Sequence, residues 1–205
     1  MLTVVDQRNR RAHEDLIRAA RRLRHEVFVE EMGWSELASP TGLESDQFDT
    51  DAIVEMVIEE DGRVVGYQRL LPTTQPFLLS HVYPKLCDGR PPSGPDIFEW
   101  TRFAVAASHR GDGKSLGPTA LRLVKSFVEW GLSSGVRSMV VEMEPIQLLR
   151  FVACHFRAYP LGITHSVGGR DVLAIRADFD ERTLARLEQL EALQASPARR
   201  SGQRP

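Results

Sequence analysis

Two strand-like runs, "AIVEMVIEE" and "RVVGYQRLL", flank the dipeptide Asp61-Gly62, and no other stretch constrains the fold as strongly. Asp-Gly between such runs closes a two-residue hairpin, because the turn needs positive φ at its centre. An antiparallel pair is therefore the scaffold, and the rest of the chain must pack on it. Ahead of it, "LTVV" reads as a short strand, and Leu16, Ala20, Leu23 and Val27 recur at helical spacing between residues 9 and 31, with Gly33 as a stop. The stretch "GLESDQFDTD" is an acidic loop. After the hairpin, a Pro-rich connection over residues 72–95 leads to the strand "DIFEWTRFAV". A glycine-rich turn follows, then a helix carrying Leu116, Ala120, Leu123, Val124 and Phe127, and the strand "VRSMVVEME". Pro145 opens a further helix through "PIQLLRFVACHFRAY", "RDVLAIRADF" is the last strand, and "DERTLARLEQLEALQA" forms a C-terminal helix with Asp180 as its cap. This order predicts an α/β, single-domain three-layer sandwich with a mixed central sheet over residues 1–195, and a polar, disordered tail over 196–205.

Composition narrows the function. A chain of 205 residues that is 42% hydrophobic can bury a sizeable core, and a net charge of -2 gives no pull toward nucleic acid or an anionic membrane. No apolar run approaches the roughly 20 residues that span a bilayer. Cys87 and Cys154 make neither a disulfide framework nor a zinc pattern, and the six histidines show no metal-ligand spacing, so no metal and no cofactor are expected in what reads as a cytoplasmic protein.

The turn "RGDGKS" ends like a phosphate-binding P-loop, with Gly113, Lys114 and Ser115 as the last three letters. The first glycine of that pattern would fall at position 108, which is Ser108, and the pattern fails. What remains is a pair of glycines, Gly111 and Gly113, opening a helix, where backbone N–H groups suit an anion. An ordinary loop and helix cap fits these residues equally well.

Charged residues on strand faces say more. Alternation places Arg69 with Val65, Tyr67 and Leu71, Glu99 with Ile97, Thr101 and Phe103, and Arg102 with Phe98 and Trp100. A charge on a buried face is costly unless paired, and Glu44, Asp46 and Asp49 in "ESDQFD" supply partners. A salt-bridge network at a sheet edge would need nothing more. Glu99 and Arg102 fall on opposite faces of a regular strand, and only a bulge would bring them together. Arg24 and Phe28, four apart on a helix, precede Trp34, so an aromatic pair beside an arginine could enclose a planar or cationic ligand, or simply belong to the core. Cys154-His155 is no nucleophile–base dyad, since neighbours on a helix diverge. The cluster Arg21, Arg22 and Arg24 reads as a solvated face, or as a landing surface for an acidic carrier protein.

The element order resembles the N-acetyltransferase superfold, whose central strand leads into a glycine-rich turn gripping the pyrophosphate of an acyl carrier. Fold analogy alone assigns no activity. The motifs "RLRHEVFVEEMGW", "GLESDQFD", "YQRLLPTTQPFLLSHVYP" and "FEWTRFAV" are more specific: together they resemble the acyl-homoserine-lactone synthases of bacterial quorum sensing over about residues 2–190. The matched positions are Arg24, Phe28, Trp34, Asp46, Asp49, Arg69, Glu99 and Arg102; Tyr83 in "VYP" replaces the phenylalanine usual in the family. The resemblance implies an acyltransferase that uses S-adenosylmethionine as acyl acceptor and releases methylthioadenosine. It implies catalytic roles for Glu99, Arg102, Arg24, Asp46, Asp49 and Arg69, with Glu99 the base, and S-adenosylmethionine binding by Phe28, Trp34, Asp46 and Arg102. The acyl donor, coenzyme A or acyl carrier protein, would meet Gly111, Gly113, Lys114 and Ser115, with Val140, Met143, Phe151, Ile146 and Leu149 as acyl-pocket candidates. The C-terminal half is similar to the subgroup that takes short branched or aromatic acyl groups from coenzyme A. An acetyl-coenzyme A N-acetyltransferase and a non-catalytic binding module remain the alternatives, separated by whether S-adenosylmethionine accepts the acyl group.

Overall fold

The computed structural model of the chain describes residues 1–111, 113 and 115–195, so Lys114 and the tail expected at 196–205 lie outside the described residues. Strand β1 (Leu2–Val5) is followed by helix α1 (Glu14–Arg24), then by the hairpin β2 (Val54–Glu60) and β3 (Arg63–Pro72). A four-residue helix α2 (Leu78–His81) interrupts the Pro-rich connection before β4 (Ile97–Val105). Next come α3 (Pro118–Ser134), β5 (Ser138–Met143), α4 (Leu148–Ala153), β6 (Arg157–Pro160), β7 (His165–Val167), β8 (Arg170–Asp178) and α5 (Glu181–Ala195). The sheet runs β1-β2-β3-β4-β5-β8-β6, with β7 paired to β8. Only β4 and β5 are parallel, as a strand–helix–strand crossover through α3 requires.

Helices cover both faces, which makes the three layers expected from the sequence. On one face, Ala20, Leu23, Val27 and Phe28 pack on Val57, Tyr67 and Ala104. On the other, Leu121, Val124 and Phe127 of α3 and Leu187 of α5 pack on Met56, Leu70, Trp100 and Met139. β4 and β5 pair only over Ile97–Glu99 and Ser138–Val140, so β4 continues from Glu99 without a partner on that side among the described residues.

Several expectations need correction. The helix expected over 9–31 is three pieces: a 3-10 turn Arg10–His13, α1, and a π-helical segment His25–Glu31. The helix after Pro145 is short, because "RAYP" pairs with β8 as β6 and its backbone hydrogen bonds go to the sheet. The helix after the glycine turn starts at Pro118 and not at Leu116. Two bulges also move side chains between faces. The β2–β3 register shifts between Ile58 and Glu59, and Val65 packs with Leu123 of α3, away from Tyr67 and Arg69. In β4 the register shifts by one residue between the pairs Tyr67↔Ala104 and Arg69↔Thr101, and Arg102 takes φ 53. The extra residue turns Arg102 onto the face of Glu99 and Thr101, while Phe103 joins Trp100 at a centroid distance of 5.1 Å.

Candidate active site

Three arginines from three elements converge on the acidic loop. Arg24, at the end of α1, and Arg69, on β3, are wholly buried. Arg24 Nε donates to Glu44, and its two Nη groups grip both oxygens of Asp49 at 2.9 and 3.0 Å. Arg69 grips Asp46 in the same forked way at 2.7 and 2.9 Å and also reaches Asp49 at 2.7 Å. Arg102 joins from the bulge, donating to Glu44 at 3.1 Å and to Asp46 at 2.7 Å. Each of these charges is thereby met by an opposite one, in forked geometry for Arg24–Asp49 and Arg69–Asp46 and by single contacts at Glu44, which offsets the cost of taking it from water. Burial alone would raise the pKa values of Asp46 and Asp49. Arg69 and Arg102 around Asp46, and Arg24 and Arg69 around Asp49, hold both below the usual carboxylate range. A second layer supports the first: the Tyr67 hydroxyl donates to Glu55 at 2.6 Å and accepts from Arg24 at 3.3 Å.

The π-helical segment presents Phe28 beside this cluster. Hydrogen bonding from Met32 N–H to the Val27 carbonyl, five residues back, widens the turn. Trp34 follows and stacks on Phe28 at 5.1 Å and 19°. The Arg102 guanidinium lies 5.5 Å from the Phe28 ring centre and 5.7 Å from that of Trp34, and Trp34 remains half-buried. Sequence spacing suggested that Phe28, Trp34 and an arginine meet; the arginine that stacks there is Arg102, while Arg24 turns into the ion cluster.

Glu99 is wholly buried and accepts the backbone N–H groups of Leu78 and Leu79 at 2.7 and 2.6 Å. Burial raises its pKa, against those two N–H groups and the pull of Arg69. Its carboxyl also meets that of Glu142, on β5. Sequence reading did not single out Glu142. The available signal was a charge two residues beyond Val140, on the same face of a strand rich in apolar residues.

A cleft of about 330 Å3 runs beside the glycine turn, lined by Val27, Met32, Phe103, Gly111, Gly113 and Ser115 among others. Gly113 has φ 78, and Gly111 packs against Gly117 so closely that a Cβ on Gly117 would lie 2.6 Å from the Gly111 nitrogen. Glycine is required at both closures. Arg150 from α4 donates to the Gly113 carbonyl at 2.9 Å, and Arg110 pairs with Glu31 at 2.6 Å across the cleft. The acyl-pocket candidates divide. Val140 packs with Leu79 and Ile97 on one side of the sheet, whereas Met143 and Phe151 belong to the core under α3. Ile146 and Leu149 are each 66% exposed. Among the described residues, no group of three or more His, Cys, Asp or Glu side chains is arranged to hold a metal ion.

The sequence model of autoinducer synthases matches residues 7–187. An isovaleryl-homoserine lactone synthase of Bradyrhizobium diazoefficiens is 36% identical over 185 residues, covering 90% of this chain and 82% of the relative. Among solved structures, the coenzyme A-dependent acyl-homoserine lactone synthase BjaI, with S-adenosylmethionine and isopentyl-coenzyme A, superposes with a TM-score of 0.87. It is 34% identical and the match covers 94% of this chain and 89% of that one. A putative N-acetyltransferase from Lactobacillus plantarum, 17% identical with a TM-score of 0.58 over 86% of this chain and 97% of its own, shares the fold.

Proposed function

The chain belongs to the autoinducer synthase family, and from that premise we propose that it makes an N-acyl-homoserine lactone from S-adenosylmethionine and an acyl thioester. The α-amino group of S-adenosylmethionine attacks the thioester carbonyl and the thiol leaves. The methionyl carboxylate then closes on the γ-carbon, the carbon–sulfur bond breaks, and methylthioadenosine departs. Both molecules are substrates, and no cofactor takes part.

One observation carries this reading: a wholly buried carboxyl, Glu99, stands on the same sheet face as the ion cluster that ties Arg102 over the Phe28–Trp34 stack. The attacking amine must first lose a proton, and Glu99, with its pKa raised by burial, takes it directly or through one water. Phe28 and Trp34 hold the adenine or the sulfonium. Arg102 Nη1 has no hydrogen-bond partner among the described residues and binds the methionyl carboxylate. Arg24, Arg69, Asp46 and Asp49 hold the loop that closes this side of the pocket.

The acyl donor enters along the cleft, with its pyrophosphate or phosphopantetheine end at the Gly111–Ser115 turn and its acyl group in the gap between β4 and β5, toward Val140, Met143 and Phe151. We take the donor to be an acyl-coenzyme A carrying a short branched or aromatic group. No helix among the described residues is long and apolar enough to cross a membrane, and the cytoplasm is where both substrates are made. Incubating the purified protein with S-adenosylmethionine and a panel of acyl-coenzyme A and acyl-carrier-protein donors tests the function. Mass spectrometry is expected to find an acyl-homoserine lactone and methylthioadenosine in equal amounts. A folded protein that yields neither with any donor would overturn the assignment.

A further inference from the structure

Glu142 stands two residues beyond Val140, the partner of Glu99 in the parallel β4–β5 pair, so both carboxyl groups project from the same face at the point where the two strands stop pairing. The residue as a whole is half-buried, but its Oε1 is buried and receives no hydrogen bond from any donor among the described residues. Its carboxyl meets that of Glu99. Two ionised carboxylates offer only acceptors, so such a contact is repulsive unless one of them carries a proton. The surroundings decide which one. Glu99 accepts two backbone N–H groups, which stabilise its charge, whereas Glu142 Oε1 receives none among the described residues and its carboxyl has only its own backbone N–H beside it.

We propose that Glu142 is a positioning residue that holds a proton and donates it as a hydrogen bond to the Glu99 carboxylate, so that the two form a one-proton pair in which Glu99 is kept ionised and ready to act as base. The inference rests on the reading of Glu99 as the base of the lactone synthase. The direction of the Glu142 shift agrees, since burial and then the neighbouring Glu99 push Glu142 well above the carboxylate range, while the contact with Glu142 works to lower Glu99 against its burial. The other titratable or charged groups acting on the pair are Arg69 on the β3 side, which favours the Glu99 anion, and Tyr83 and Cys87, flanking the turn Pro84–Leu86. None of the three is an acid able to take over the shared proton at neutral pH.

Two readouts test the pair separately. In infrared spectra of the intact enzyme at pH 7, wild type is expected to show a protonated-carboxyl band that E142Q lacks. In pH profiles of kcat/KM, E142L removes the donor to Glu99 and is expected to move the acid limb up by about one pH unit, the size of a lost hydrogen bond to a charged group. E142Q retains a neutral donor and keeps the wild-type limb. A wild-type spectrum without the band, or a band that persists in E142Q, overturns the shared proton. An acid limb unmoved in E142L overturns the coupling to Glu99. Should the protein make no lactone, the infrared comparison still decides the pair; should it make lactone with neither readout responding to Glu142, the inference falls and the function stands.

Discussion

At the scale of single residues, the carboxylates of the candidate site have their basicity shifted in opposite directions. Asp46 and Asp49 are kept ionised by forked arginines, while burial makes Glu99 a stronger base than an exposed carboxylate. Glu99→Gln keeps size, but its single amide oxygen accepts only one of the two backbone N–H groups, so folding should persist with a small loss of stability while turnover falls at least tenfold, about 1.4 kcal/mol of barrier; steady-state kinetics beside a thermal melt check this. Arg69→Ala leaves Asp46 with Arg102 and Asp49 with Arg24 as remaining partners and should cost about 3 kcal/mol of stability, read by denaturant unfolding. The pH dependence follows from the lowered values. A carboxylate with a depressed folded pKa contributes stability that is present above its unfolded value near 4, and that is lost as pH falls through the folded value. Melting temperatures should therefore drop steeply below about pH 4 in wild type and less steeply in Asp49→Asn, which starts lower at pH 7. Equal slopes for the two proteins would show that the ion cluster does not govern acid unfolding.

At the scale of elements, irregularities place the functional side chains. A regular β4 would send Arg102 toward Trp100, and a bulge with left-handed backbone at Arg102 reverses that. Such a conformation costs a non-glycine residue about 1–2 kcal/mol, which the hydrogen bonds to Glu44 and Asp46 offset. Arg102→Ala and Arg102→Gly lose the same ion pairs, but only alanine retains the strain. The glycine variant should thus be the more stable by about 1 kcal/mol, with both inactive. A glycine variant no more stable than alanine in thermal unfolding would show that the bulge relaxes once the guanidinium is gone. The π-helical segment makes the second adjustment, carrying Phe28 to its stack on Trp34. Neither irregularity was legible as a certainty: alternation put Arg102 on the wrong face, and the condition for correcting it, a bulge, depends on partners 56–58 residues away in sequence.

At the scale of the whole molecule, charge on the surface bears on the donor. Arg21, Arg22 and Arg24 read in sequence as one basic face able to receive an acidic carrier protein. In the fold Arg24 is wholly buried, Arg21 is half-buried, and only Arg22 is exposed. That weakens the case for a carrier-protein landing surface there and favours the proposal that the donor docks in the glycine-turn cleft. One acyl group presented on both carriers is expected to give the higher kcat/KM as the coenzyme A thioester. Raising ionic strength should depress the carrier-protein reaction more, because long-range attraction between exposed charges is screened. A tenfold preference for the carrier protein would reverse the choice of donor and leave the lactone synthase assignment intact.

The sequence by itself determined the scaffold and the cast. Asp61-Gly62 and the alternation around it dictate the hairpin, helical periodicity dictates α1, α3 and α5, and eight dispersed residues identify the family, because local propensity and residue identity act over a few positions or need no geometry at all. The tertiary structure alone decided which of them meet. Arg102 joins Glu44 and Asp46 through a bulge set by strand register, Arg24 leaves the surface, "RAYP" becomes a strand because β8 offers a ladder, and Glu142 reaches Glu99 because a parallel crossover aligns two strands some 40 residues apart in the chain. Contacts of that kind arise from the packing of distant segments, and a desolvated charge reveals its partner only when the fold has brought the partner to it.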